Sequence, residues 1–123
     1  MHRSRLAGFI IDCQNADPDT AAHFWSAALG MKAIEKQGEK YMVLDAAERD
    51  LHVEVQSVKH ESRAHLDIET DDVDREVARL EALGARRLEE RGTWWVMESP
   101  TGQRFCVVRG KNMDGAAGLN EWK

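Results

Sequence analysis

DPDTAAHFWSAALGMKAIEKQGEKYMVL (Asp17 to Leu44) is written again as DDVDREVARLEALGARRLEERGTWWVME (Asp71 to Glu98), 54 positions later and without a gap. Six positions are identical: Asp17/Asp71, Ala28/Ala82, Leu29/Leu83, Gly30/Gly84, Glu35/Glu89 and Gly38/Gly92. The matches fall on structural punctuation: an acidic helix start, a Leu-Gly helix end, and a glycine between two apolar runs. Similar residues fill the space between them, including Ile34/Leu88 and Tyr41/Trp95. Self-similarity at a fixed period makes the repeated unit the fold's building block.

Each copy reads as one helix and four strands. In the first, Leu6 to Asp12 is an apolar run of strand length. Asp17 supplies an N-cap oxygen and Pro18 suits the first helical position. Ala21, Phe24, Trp25, Ala28 and Leu29 keep the spacing of one buried helix face, and Gly30 sits where a left-handed cap belongs. Lys32 to Lys36, Tyr41 to Asp45 and Leu51 to Val58 read as strands. The second copy places strands at His65 to Glu69, Arg86 to Arg91, Thr93 to Glu98 and Arg104 to Arg109. Its helix opens at Asp71-Asp72, buries Val73, Val77, Leu80 and Leu83, and stops at Gly84. The unit is βαβββ, present twice.

The chain of 123 residues is expected to form a single domain, with module one at about 6–58, module two at about 64–109 and a loosely structured tail at 110–123 that Trp122 docks. Seventeen basic against twenty-two acidic residues give a net charge of −5, so no field collects a phosphate backbone and nucleic acid is excluded as a partner. The longest apolar run falls far short of the roughly 20 residues of a membrane span, and Met-His-Arg-Ser-Arg leads into no secretory segment. Neither a membrane nor export is expected, which leaves the cytoplasm. Cys13 and Cys106 lie among apolar neighbours without CxxC spacing and read as buried, reduced thiols.

A four-stranded sheet with a helix on one face leaves its other face open, so two modules can enclose a space between them. Strand alternation then sorts the side chains. Leu51, Val53 and Val55 go under a helix while His52, Glu54 and Gln56 take the other face; Leu66 and Ile68 oppose His65, Asp67 and Glu69. Trp94 and Trp95 must point to opposite faces, and the 54-residue offset pairs Trp95 with Tyr41 as an aromatic couple for a flat ligand.

The double unit, the helix DPDTAAHFWSAALG, the segment HLDIETDDVDREVARLEALGA and the closing SPTGQRFCVV resemble the vicinal oxygen chelate superfamily, in its glyoxalase-like, bleomycin-resistance-like branch. The resemblance covers Leu6 to Arg109. It implies an α+β fold in which two tandem βαβββ modules form a cupped mixed-sheet barrel, and it implies a homodimer. Metal-dependent members hold a divalent ion with four side chains on the first and last strands of each module. Carried over, these positions fall on His65, on Gly8 or Ile10, on Glu54, and on Cys106, for which the 54-residue offset offers His52 as the repeat partner. His65 and Glu54 are the metal candidates, and the standard four-ligand set is not intact.

The resemblance implies a small-molecule ligand in the space between modules, near His52, Gln56, Asp67, Trp95 and Cys106. The expected chemistry is that of a lyase or isomerase moving a proton next to a carbonyl, with Glu54 as base and His65 as metal ligand or electrophile. The alternative is a metal-free sequestration protein that binds an antibiotic or another small ligand.

Overall fold

The computed structural model describes residues 1–123 and divides into two compact units. The first is Gly8–His65; the second is Leu66–Lys123 together with Met1–Ala7. Strands are β1 (His2–Gln14), β2 (Ala33–Gln37), β3 (Tyr41–Leu44), β4 (His52–Val58), β5 (Arg63–Thr70), β6 (Arg86–Arg91), β7 (Trp94–Glu98), β8 (Arg104–Arg109) and β9 (Asn120–Trp122). Helices are α1 (Pro18–Leu29) and α2 (Val73–Ala82), and a short 3-10 turn covers Ala47–Arg49.

The two units repeat one topology. In the first the strand order is β2-β3-β4-β1, with β4 and β1 parallel and the other pairs antiparallel. In the second it is β6-β7-β8-β5, with β8 and β5 parallel and the rest antiparallel. Both edge hairpins slip register at the same place, between Ala33 and Glu35 and between Arg87 and Glu89. The residues at the slips, Ile34 and Leu88, are a matched pair of the repeat, so the second copy retains even the bulge.

One difference inside the repeat moves side chains. Gly38-Glu39-Lys40 makes a three-residue turn between β2 and β3, whereas Gly92-Thr93 makes a two-residue turn between β6 and β7. Up to the turn the copies are 54 residues apart; beyond it they are 53 apart. Tyr41 is therefore the counterpart of Trp94, and a one-residue slip on a strand exchanges faces.

The helices start as the sequence predicts. Asp17 accepts hydrogen bonds from Thr20 N and Thr20 Oγ1 at 3.3 and 2.9 Å, and Gly30 closes α1 at φ 69°. Asp72 rather than Asp71 caps α2, accepting from Arg75 N at 3.1 Å. The expected buried stripe of α1 is only half realised. Ala22 is buried and Ala21 and Trp25 pack against the core, but Phe24 is 60% and Leu29 44% exposed, and Ala28 is exposed too. On α2, Val77 and Leu80 are buried while Leu83, at the cap where the chain leaves the helix, is exposed.

Each helix covers one face of its own sheet. Val53, Val55 and Leu44 join Ala22 in the first core; Met97 and Val107 join Val77 and Leu80 in the second. Fully buried aliphatic side chains such as Val55 and Val107 each contribute about 1.5–3 kcal/mol.

The tail is ordered, against the expectation of loose structure. β9 pairs antiparallel with the start of β1, in the register His2↔Trp122 and Ser4↔Asn120, which also carries β1 back to His2. Trp122 Nε1 donates to Ser4 Oγ at 2.8 Å, and the Arg79 guanidinium lies 3.8 Å from the Trp122 ring centroid. Beneath it Glu76, wholly buried on α2, accepts two hydrogen bonds from Arg79 at 2.7 and 2.8 Å and meets His2 Nε2 at 2.8 Å.

Candidate functional site

The face of the first sheet opposite α1 carries a polar row along β4. Along β4 the odd residues Val53 and Val55 enter the core, so His52, Glu54 and Gln56 emerge on the other side. His52 Nε2 meets Glu54 Oε1 at 2.9 Å, with the imidazole half-exposed and the carboxylate buried. Gln56 Nε2 donates to Tyr41 Oη at 3.0 Å. Across the parallel ladder these three residues face Gly8, Ile10 and Asp12 of β1.

Asp12 brings in the last member. Its carboxylate is buried, and Oδ2 lies 2.8 Å from His65 Nδ1 with Arg63 Nε at 4.0 Å; Oδ1 has no hydrogen-bond partner. A carboxylate on Nδ1 fixes the tautomer of a neutral imidazole with its basic lone pair on Nε2, and it stabilises the imidazolium once formed. The first unit thus carries two carboxylate–imidazole pairs, Glu54–His52 and Asp12–His65, on strands β1, β4 and β5. Asp12 is not among the sequence candidates, and Tyr41 enters there only as the aromatic partner of Trp95. Asp12 closes an otherwise apolar run, and its signal was phase: it stands two and four residues after Ile10 and Gly8 on the face that β4 fills with polar side chains.

In the second unit Asp67 and Cys106 are ladder partners, and Val96 stands opposite Cys106. Trp95 is not on that face. It pairs with Val107 and packs with Val107 and Met97 on the α2 side, under the Arg87 guanidinium 5.0 Å from its ring centroid. The expected aromatic couple of Trp95 with Tyr41 is therefore corrected: the shorter Gly92-Thr93 turn gives that face Trp94. Cys13 and Cys106 are half-buried rather than buried. Burial, and then the Asp12 charge, push the Cys13 thiol above its ordinary pKa.

Ladder register also decides which residues occupy the four metal-ligand positions implied by the resemblance. Glu54 pairs with Ile10, Cys106 pairs with Asp67, and Gly8 and His65 lie two residues before those partners. By this internal symmetry Gly8 corresponds to His65 and Glu54 to Cys106. Gly8 offers no donor, and a Cβ built there meets His52 O at 1.7 Å. These residues do not fit the standard four-ligand ion.

A twice-repeated βαβββ topology, each four-stranded sheet covered by one helix, defines the class as an α+β fold of two like units. The family model described as Glyoxalase-like domain matches residues 8–108, and the chain belongs to that family. Among solved structures it is similar to a glyoxalase/bleomycin resistance protein/dioxygenase superfamily member from Vibrio splendidus 12B01, at 13% identity and TM-score 0.60 over 87% of this chain and 99% of that one. It is also similar to methylmalonyl-CoA epimerase from Mycobacterium tuberculosis, at 17% identity and TM-score 0.61 over 90% of this chain and 93% of that one. At such identities the likeness shows the fold alone. Among the curated proteins none matches the sequence. No helix is long and apolar enough to cross a membrane.

Proposed function

We propose that the chain binds a small carbonyl compound on the polar face of its first unit and moves a proton at the carbon next to the carbonyl, as a lyase or isomerase. The observation that carries this reading is the pair of carboxylate–imidazole contacts, Glu54–His52 and Asp12–His65, at 2.9 and 2.8 Å. Proton abstraction beside a carbonyl needs a base and a group that steadies the enolate oxygen. Glu54, steadied by His52, is the base. His65, in its imidazolium form with Nδ1 held by Asp12, donates from Nε2 to the carbonyl oxygen. Gln56, held by Tyr41 at 3.0 Å, contacts the ligand. One protein of similar fold is a methylmalonyl-CoA epimerase. No step is routed through a metal.

Assembly as a homodimer in the cytoplasm belongs to the same proposal. The exposed Phe24 and Ile34 support the first, and two unpaired cysteines support the second. A second reading, metal-free sequestration of an antibiotic or similar ligand, draws on Gly8 and Cys106 at the ligand positions.

Solvent exchange separates the two. The protein is incubated in deuterium oxide with 2-hydroxy ketones, 2-oxo acids and acyl thioesters, and loss of the α-proton is followed by NMR. Exchange in one class is expected, slowed about 100-fold or more in Glu54→Gln and in His65→Asn. Absence of exchange in every class leaves sequestration. Stoichiometric zinc, nickel or manganese binding that disappears in His65→Ala would reinstate metal chemistry and overturn the metal-free step.

A further inference from the structure

On the other side of the first sheet, beside α1, lies a second cavity of about 690 Å³, within the range that holds drug-sized ligands. Its walls are apolar: Phe9 and Ile11 from β1, Val53 from β4, and Trp25, Leu29 and Met31 from α1 and the residue after its cap. The helix does not close over it, since Phe9 and Leu29 stay 38% and 44% exposed. Val53 turns away from Glu54 on the same strand, so this cavity is distinct from the polar face.

The charges at the cavity fix its selectivity. Three ionisable groups besides Cys13 line it: Arg49, Arg63 and Asp12. The Asp12 carboxylate is engaged by His65 at 2.8 Å. Arg63 is exposed and makes only a 3.3 Å contact with His60 and a 4.0 Å contact with Asp12. Arg49, exposed on the short 3-10 turn, has no ion pair. A chain of net charge −5 thus presents two under-used guanidinium groups beside an apolar hollow.

We propose that this cavity binds an amphipathic carboxylate, an alkyl or aryl body with one anionic end. The body fills the space between α1 and the sheet, and the carboxylate takes Arg49 and Arg63, whose planar forks match it in geometry and charge. A cationic head meets like charge there. A neutral one leaves the arginines as they are. The proposal does not rest on the proton-transfer reading: Glu54, His52 and Gln56 take no part in it, and the two sites meet only at Asp12, held by His65 at 2.8 Å with Arg63 4.0 Å away.

The test titrates laurate and dodecyltrimethylammonium below their micelle concentrations, and dodecanol below its solubility limit, into the full chain by calorimetry. One laurate per chain is expected, with dodecanol weaker by about tenfold or more and the cation silent. The double variant Arg49→Gln, Arg63→Gln should lose that same factor for laurate and leave dodecanol unchanged. Leu29→Glu should block both, and Glu54→Gln should block neither. All substituted side chains except Glu54 are exposed, and a thermal melt confirms that each variant folds. The proposal is overturned by absent laurate binding, by equal binding of the three probes, or by laurate affinity unchanged in the double arginine variant. A dimer that Leu29→Glu dissociates would assign the cavity to a second copy and overturn it as well.

Discussion

Replacing Gly8 with alanine should cost the protein about 3–4 kcal/mol, and replacing it with histidine should not create a metal site. An added Cβ sits 1.7 Å from His52 O, 2.6 Å from His52 C and 2.8 Å from His52 N, all backbone atoms that no rotamer change can move. Carbon and oxygen settle at about 3.3–3.6 Å, so β1 and β4 must part by roughly 1.6 Å where their parallel ladder begins. A displacement of that size breaks about two ladder hydrogen bonds at about 1 kcal/mol each, and the remaining overpacking strain adds about 1–2 kcal/mol. The whole domain holds only about 5–15 kcal/mol. The damage also travels along β1 to Asp12 and so to His65. Urea denaturation of wild type and Gly8→Ala measures the cost, and calorimetry with zinc tests Gly8→His. A loss under 1 kcal/mol, or a folded Gly8→His that binds one zinc tightly, would refute the reasoning that the glycine is kept by the closeness of two strands.

The remaining predictions concern the buried network and the thiol. Burial alone would raise the Glu76 pKa, but hydrogen bonds from Arg79, His2 and Ser4 outweigh it and hold the carboxyl below its ordinary value. Its stabilisation is therefore complete above the unfolded-state pKa and is lost as pH falls through the lower folded one. Glu76→Gln should flatten the acid limb of stability against pH; at neutral pH it should cost about 2–3 kcal/mol, toward the modest end because Arg79 is partly solvated, and an unchanged denaturation midpoint would sink the claim. Trp122→Ala removes the Ser4 hydrogen bond and the Arg79 stacking, so a loss of about 2 kcal/mol and new proteolytic nicking within 110–123 are expected. Cys13, its thiol pushed up by burial and then by Asp12, should be alkylated by iodoacetamide at pH 8 far more slowly in the folded than in the unfolded chain; equal rates by mass spectrometry would contradict the assignment.

Most of the fold is legible in the sequence because the repeat marks its own joints. Asp17, Gly30, Gly38, Gly84 and Gly92 are residues whose backbone roles are local, and local roles survive without knowledge of neighbours. What fails is register, which is cumulative. One residue fewer in the second hairpin turn changes no element boundary by more than a residue, yet it exchanges Trp94 with Trp95 and moves an indole from the expected ligand face into the α2 core. The stripe of α1 fails for another reason. Helical spacing states which residues share a face, but the width of the sheet beneath decides how many of them are covered, and here it covers Ala21, Ala22 and Trp25 while leaving Phe24 and Leu29 in solvent.

The candidate site divides along the same line. Alternation along β4 suffices to put His52, Glu54 and Gln56 together, because three residues on one strand need no partner to share a face. Asp12 escapes notice because its role depends on two other strands: β4, which makes its phase the polar one, and β5, which brings His65 to its carboxylate. That dependence also explains the altered ligand set. Where β1 runs against β4 at Gly8 there is no room for any side chain, whereas four residues further on the same strand has room for a buried carboxylate. The first unit thus places its acidic group at Asp12 rather than a metal donor at position 8. A carboxylate there holds an imidazole by its Nδ1, whereas position 8 offers no side chain at all, so the closeness of β1 and β4 at Gly8 is what takes one donor out of the standard ligand set.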